Sequence, residues 1–129
     1  MKIAFLFNEY QPHVLSRISY FLNKGHVVYY FALWSPVPVL KKELPDQLHY
    51  IPIPCNWLMK IKYIRFFRGV FLVQKLTKEY SIDILHIVSA GNGLHALFSN
   101  SKINVIQNLG SDMLVWPKRR PIFKFLYKF

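Results

Sequence analysis

Residues Lys2 to Leu33 read KIAFLFNEYQPHVLSRISYFLNKGHVVYYFAL, and this stretch decides the fold. Lys2 to Phe7 is a nearly continuous apolar run closed by the polar Asn8, Glu9 and Gln11, as expected of a central parallel strand buried on both faces. From Pro12 and His13 onward, Val14, Ile18, Phe21 and Leu22 recur at spacings of three and four, which predicts an amphipathic helix that Gly25 closes at its C-terminus. Val27 to Leu33 is rich in β-branched and aromatic residues and reads as a second buried strand. Strand, helix and strand within about thirty residues form a βαβ unit, so the two strands run parallel.

The rest of the chain repeats that alternation. Trp34 to Pro45 holds three of the eight prolines together with Lys41, Lys42 and Glu43, and reads as an exposed loop. His49 to Ile53 (HYIPI) alternates but contains Pro52, which restricts it to a sheet edge or a short extended piece. Trp57 to Tyr80 contains no proline and is dominated by helix-tolerant residues, with Gly69 as its weak point, so a second major helix is expected there. Ile82 to Val88 (IDILHIV) is another buried strand, ended by Ser89 to Gly93; Leu94, Ala96, Leu97 and Phe98 then suggest a short helix, and Ile103 to Gln107 (INVIQ) a last strand. Beyond the loop Asn108 to Asp112, Met113 to Trp116 are apolar, and Pro121 opens a further helical segment. The predicted class is α/β: a doubly wound parallel sheet in three α/β/α layers, with its ligand edge at the carboxyl ends of the strands. The loops that matter are then Asn8 to Pro12, Ser89 to Gly93 and Asn108 to Asp112.

Composition narrows the class further. The 129 residues suffice for one core of ordinary size, and 53% hydrophobic against 18% charged residues excludes a disordered chain. The longest uncharged apolar stretch, Gly25 to Leu40, is broken by Pro36 and Pro38 and falls short of the roughly 20 residues of a membrane-spanning helix. Ile3 to Phe7 is too short for the apolar core of a signal peptide, so a cytoplasmic location is expected. Cys55 is the single cysteine, which excludes an internal disulfide or a cysteine-based zinc cluster. The formal net charge of +11 is uneven: residues 1–56 carry five Lys and Arg against three Asp and Glu, residues 57–129 twelve against three. Such a surface attracts anionic membranes, nucleic acids or phosphorylated substrates alike. No helix-turn-helix, zinc or aromatic RNA-binding signature accompanies the charge, so nucleic acid is not expected as a partner.

Three segments resemble one family, the family 4 glycosyltransferases of the GT-B fold. Pro12 to Leu33 resembles the first helix and second strand of that family, which are separated by a "lakrGHeV" turn; Lys24, Gly25 and His26 stand at the turn. Ser81 to His86 (SIDILH) resembles its "pDiiHaH" strand, and Leu109 to Lys118 (LGSDMLVWPK) its "hGSDvl..p" segment. Order and spacing match over essentially the whole chain. The resemblance implies the Rossmann-like N-terminal, acceptor-side half of a GT-B enzyme, incomplete at its C-terminus. The donor, a nucleotide sugar acting as co-substrate, would be held mainly by a C-terminal domain not present in these residues. No metal or other cofactor is expected. The implied reaction is a retaining transfer to a cell-surface glycan or lipid-linked acceptor, with the fragment inactive alone. A non-catalytic binding module of the same fold at an anionic membrane surface remains the alternative.

Candidate substrate-binding residues follow from the loops. Gly110, Ser111 and Asp112 come after the last strand, where a carboxylate orients a sugar hydroxyl or a basic partner, although Ser or Asp there also serves as a helix N-cap. His86 lies on one face of its strand, where a buried, hydrogen-bonded histidine is the plain alternative to a ligand contact. Asn8, Glu9 and His13 occupy the first strand-helix connection, in which many relatives carry a glycine-rich turn; here side chains would replace backbone N–H contacts. Asn92 and Gly93 stand at the start of the next helix and could line the same cleft, or form ordinary loop. The family pattern would put histidine at Val88 and His or Trp at Leu109; both are aliphatic, so no catalytic base is evident. Basic residues interleave with aromatics along the long helix and near the chain end. Lys60, Lys62, Arg65, Arg68, Arg119 and Arg120 are the candidates for peripheral membrane contact, against a plain solvated basic face.

Overall fold

A computed structural model describes residues 1–7, 12–33, 44–53, 62–88 and 92–107, with the side chains of residues 12, 13, 62, 63 and 65 left aside. In chain order the elements are β1 (Lys2–Phe7), α1 (Pro12–Asn23), β2 (Val27–Leu33), β3 (His49–Ile53), α2 (Lys62–Glu79), β4 (Ile84–Val88), α3 (Leu94–Leu97) and β5 (Ile103–Gln107). The strands form one sheet in the order β3-β2-β1-β4-β5, and every neighbouring pair is parallel. The α/β doubly wound class read from the sequence is therefore the fold of the protein.

The two faces of the sheet bury different residues. Ile3, Phe5 and Phe7 of β1 point toward α1 and pack with Val14, Ile18, Val28, Tyr30 and Val88. Ala4 and Leu6 point the other way and pack with Tyr29, Phe31, Val73 of α2, Leu85, Ile87 and Ala96 of α3. A strand buried on both faces needs a continuous apolar sequence, which is why KIAFLF shows no alternation. Phe5 and Phe31 are wholly enclosed, and truncating either to alanine would destabilise the fold by about 3–5 kcal/mol.

Local signals set the boundaries. At the end of α1 the Gly25 N–H bonds the Leu22 carbonyl at 2.9 Å and the His26 N–H bonds the Phe21 carbonyl at 3.1 Å, with Gly25 at φ 77°. These two bonds are a Schellman cap, and its left-handed residue is the reason for glycine. The end of α2 repeats the pattern without glycine: Ser81 N–H bonds the Lys78 carbonyl at 3.1 Å, Ile82 N–H bonds the Thr77 carbonyl at 3.0 Å, and Ser81 takes φ 52°. Pro52 sits in β3, which pairs only with β2, as the missing N–H requires. The expected start of the long helix at Trp57 lies outside the described residues, which take up α2 at Lys62.

The short helix after β4 differs from expectation. Its apolar Leu97 and the following Phe98 are exposed, and His95 and Ala96 are buried instead. One turn offers only one buried direction, and anchoring by Asn100 N–H to Thr77 Oγ1 at 3.0 Å fixes which side faces α2. The last strand is also more open than the others, with Ile103, Val105 and Ile106 exposed.

Ser81 gives a direct test. A left-handed backbone in a residue with a Cβ is unfavourable by about 1–2 kcal/mol, partly offset in glycine by its freer unfolded chain. Ser81→Gly should therefore raise stability by roughly 0.5–1 kcal/mol, measured by denaturant unfolding, whereas Ser81→Val should lower it.

Candidate functional site

Topology locates the crevice. After β1 the chain turns back through α1 on one face to reach β2, and after β4 it passes through α3 on the other face to reach β5. The two connections leave adjacent strands in opposite directions, so a gap opens at the carboxyl ends of β1 and β4. Phe7 and Val88, the last residues of β1 and β4, are both buried at this end. The loops that would wall it are those picked out in the sequence, of which Asn8, Glu9, Gly110, Ser111 and Asp112 lie outside the described residues. His13 is in the first turn of α1, directly after the β1 loop.

Asn92 stands at this rim. It is buried, and its Nδ2 donates to the Val88 carbonyl at 3.4 Å, closing off the last backbone acceptor of β4. His95 follows one turn later, and nothing in the sequence reading singles it out. Its ring is buried against Phe66 at 5.5 Å between centroids, and Nδ1 lies 2.9 Å from the Asn92 carbonyl. A carbonyl only accepts, so Nδ1 carries the proton and Nε2 presents a lone pair, buried with no hydrogen-bond partner. The available signal is that His95 is the one polar residue in Leu94–Leu97.

His86 lies on the opposite face, half-buried beneath α1, with its ring 5.0 Å from that of Phe5. It stands two residues inside the carboxyl end of β4, opposite Val105 of β5. Gln107, at the end of β5, shares its face and is not among the candidate site residues read from the sequence; its signal is a polar residue closing INVIQ. Nε2 of His86 and Oε1 of Gln107 are both buried without a closed hydrogen bond, yet the Gln107 side chain is near enough to favour a protonated ring. Burial outweighs that and, with the Arg17 guanidinium, holds His86 below its ordinary value. Burial likewise lowers His95, against a smaller opposing effect of the Asn92 carbonyl. Burial thus disfavours the charged form of both imidazoles, which lie in separate layers.

The opposite edge of the sheet is tied closed. Lys2 N–H bonds Asp83 Oδ2 at 2.9 Å, Asp83 N–H bonds the Lys2 carbonyl at 2.9 Å, and Lys102 Nζ reaches Asp83 Oδ1 at 2.7 Å. Lys102 and the Lys2 N–H hold the Asp83 carboxyl below the usual carboxylate range. A shallow depression of about 630 Å³ there, lined in part by Lys2, Lys78, Ser81, Asp83 and Lys102, faces away from the crevice. Among the described residues no three His, Cys, Asp or Glu gather to hold a metal, and no helix is long and apolar enough to cross a membrane. Of the membrane candidates, Arg68 is exposed on α2; Lys62 and Arg65 are placed by backbone only, and Lys60, Arg119 and Arg120 lie outside the described residues.

A parallel sheet in this order with its gap between β1 and β4 defines a Rossmann-like nucleotide-fold domain. The family model for glycosyl transferase 4-like proteins matches residues 2–129, and the chain belongs to that family. No curated protein and no solved structure matches it significantly.

The two histidines make stability depend on pH. Each has a folded pKa below its ordinary 6.5, so the unfolded chain binds more protons as pH falls through 6.5. Stability is then full above about 6.5 and declines below it until the folded values are reached. Unfolding free energy measured from neutral to mildly acidic pH should fall, and replacing His86 and His95 together by Gln should flatten the slope in that window. An unchanged slope would show that other groups control the acid limb.

Proposed function

We propose that this chain is the N-terminal, acceptor-side domain of a GT-B glycosyltransferase that moves a sugar from a nucleotide-sugar donor to a cell-surface glycan or lipid-linked acceptor, with retention at the anomeric carbon. The observation that carries the reading is the switch-point gap between β1 and β4 in a chain of the glycosyl transferase 4-like family. In this reading Asn8, Glu9 and His13 approach the acceptor from the β1 side, and Asn92 and His86 from the β4 side. Gly110, Ser111 and Asp112 close the rim after β5, where the Asp112 carboxylate orients a sugar hydroxyl. The nucleotide is held mainly by a second domain, so that no metal or further cofactor belongs to this half and residues 1–129 alone do not turn over. Transfer takes place on the cytoplasmic side, at the membrane face where lipid-linked acceptors are presented.

Polarity at the rim supports the division of labour. Asn92 and His86 offer amide and imidazole groups suited to sugar hydroxyls, and the Glu9 and Asp112 carboxylates of this reading would repel a pyrophosphate. The test pairs the chain with a second nucleotide-fold domain and supplies a panel of nucleotide sugars with lipid-linked acceptors. Transfer with the α or β configuration of the donor preserved, followed by proton NMR, is expected from the pair and none from residues 1–129 alone. Asp112→Asn should reduce kcat/KM by about tenfold or more, as loss of a charge-assisted hydrogen bond predicts. Inverted product would refute the retaining chemistry. Turnover by the isolated chain would refute the division between domains, and vesicle binding with no transfer from any donor would favour the non-catalytic membrane module.

A further inference from the structure

The two outermost strands of the sheet are protected unequally. On one side β3 carries Pro52, whose missing N–H discourages further pairing. On the other, β5 reads INVIQ, with no charge, proline or glycine, and Ile103, Val105 and Ile106 are 55%, 41% and 45% exposed. Apolar residues fall on both of its faces: Ile103 and Val105 on the side of His86, Ile106 on the side of α3. That is the sequence of an inner strand standing in an outermost position.

The backbone of β5 determines how its open side can be used. Ile103 N–H bonds the Asp83 carbonyl at 3.0 Å, so Ile103, Val105 and Gln107 turn their peptide groups toward β4. Asn104 and Ile106 therefore turn theirs outward, where no described strand pairs with them. Outward residues on either side of Val105 suit an antiparallel strand related by a two-fold axis at Val105. Asn104 of one copy then exchanges N–H and carbonyl bonds with Ile106 of the other, and the reverse, so every outward group is paired. The two Val105 side chains face each other in the close position between those bonded pairs, and Ile103 meets Gln107.

Charge selects the occupant. Between Asp83 and Asp112 the only Lys, Arg, Asp or Glu is Lys102, and its Nζ is held by Asp83 Oδ1 at 2.7 Å. A charged partner strand finds nothing on β5 to pair with, whereas two copies of this uncharged strand meet without local repulsion. In this register the two Lys102 lie at opposite ends of the pairing. Leu97 and Phe98, 73% and 54% exposed, adjoin β5 through the Asn104 Nδ2 bond to the Ala96 carbonyl at 3.2 Å and enlarge the apolar surface that pairing covers. We infer that β5 is an interface strand, which pairs antiparallel with β5 of a second copy to make one sheet across both. The two-fold axis points the two carboxyl rims in opposite directions, so each crevice stays open independently of the other.

Residues 1–129 are followed by sedimentation velocity over a range of concentrations, without donor or acceptor. A reversible dimer is expected, and it should strengthen with salt, because screening relieves the repulsion between two chains of net charge +11. Val105→Lys sets like charges directly opposite each other and should weaken the dimer by about tenfold or more. Mixing it with Val105→Glu should restore association as a heterodimer, which a folding defect could not do. In a Cys55→Ser background, Val105→Cys should oxidise to a covalent dimer, and this variant decides the matter if the charged ones fail to fold. A chain that stays monomeric at every concentration, or a dimer that survives Val105→Lys and gives no Val105→Cys cross-link, would overturn the inference. So would a dimer lost on Phe67→Ser with Phe71→Ser but unchanged by Val105→Lys, which would assign the contact to the outer face of α2.

Discussion

The central constraint is the burial of β1 on both faces. A parallel strand cannot reach its neighbour by a tight turn, so each partner of β1 arrives through a crossover, and each crossover must cover a face. With β2 on one side and β4 on the other, the covering elements fall on opposite faces: α1 over Phe5, α2 and α3 over Leu6. The gap at the carboxyl rim is a geometric result of that arrangement. No residue needs to be selected for making the gap, only for lining it.

The sequence carries this frame because its signals are backbone requirements. KIAFLF has no polar position to expose, Gly25 takes a left-handed conformation, and Pro52 cannot serve an inner strand. Each restricts the fold whatever the neighbouring side chains are. What is not legible depends on which of several similar side chains meets a neighbour distant in sequence. LHALF offers four apolar residues and one histidine, yet the histidine is buried, because the orientation of α3 is set by Asn100 and Thr77. The pairing of Asp83 with Lys2 and Lys102 spans strand starts far apart in sequence and leaves no local pattern. Of the candidate site, the position of the rim is legible, as is Asn92 beside it; Gln107 and His95 emerge only from the register of β5 and the packing of α3.

The family assignment and the geometry answer different questions. Matching residues 2–129 to glycosyl transferase 4-like proteins fixes the kind of chemistry this domain serves, while the aliphatic Val88 and Leu109 mark where it departs from the pattern that suggested the family. A fold hosts many activities, so the departures bear on mechanism and leave the fold unaffected.

The two ends of the strands differ in how their polar groups are paired among the described residues. At the amino edge Asp83 accepts from Lys2 and Lys102 and its own N–H bonds back to β1, so β1, β4 and the start of β5 are tied at one point. At the carboxyl edge polar groups are buried with less complete pairing: Nε2 of His86, Nε2 of His95 and Oε1 of Gln107 have no closed hydrogen bond. Unpaired buried polar groups are unfavourable, and a domain retains them where another requirement outweighs stability. Among the described residues the firm ties stand at the amino ends of the strands and the incompletely paired groups nearer their carboxyl ends, so the amino end contributes more of the polar stabilisation.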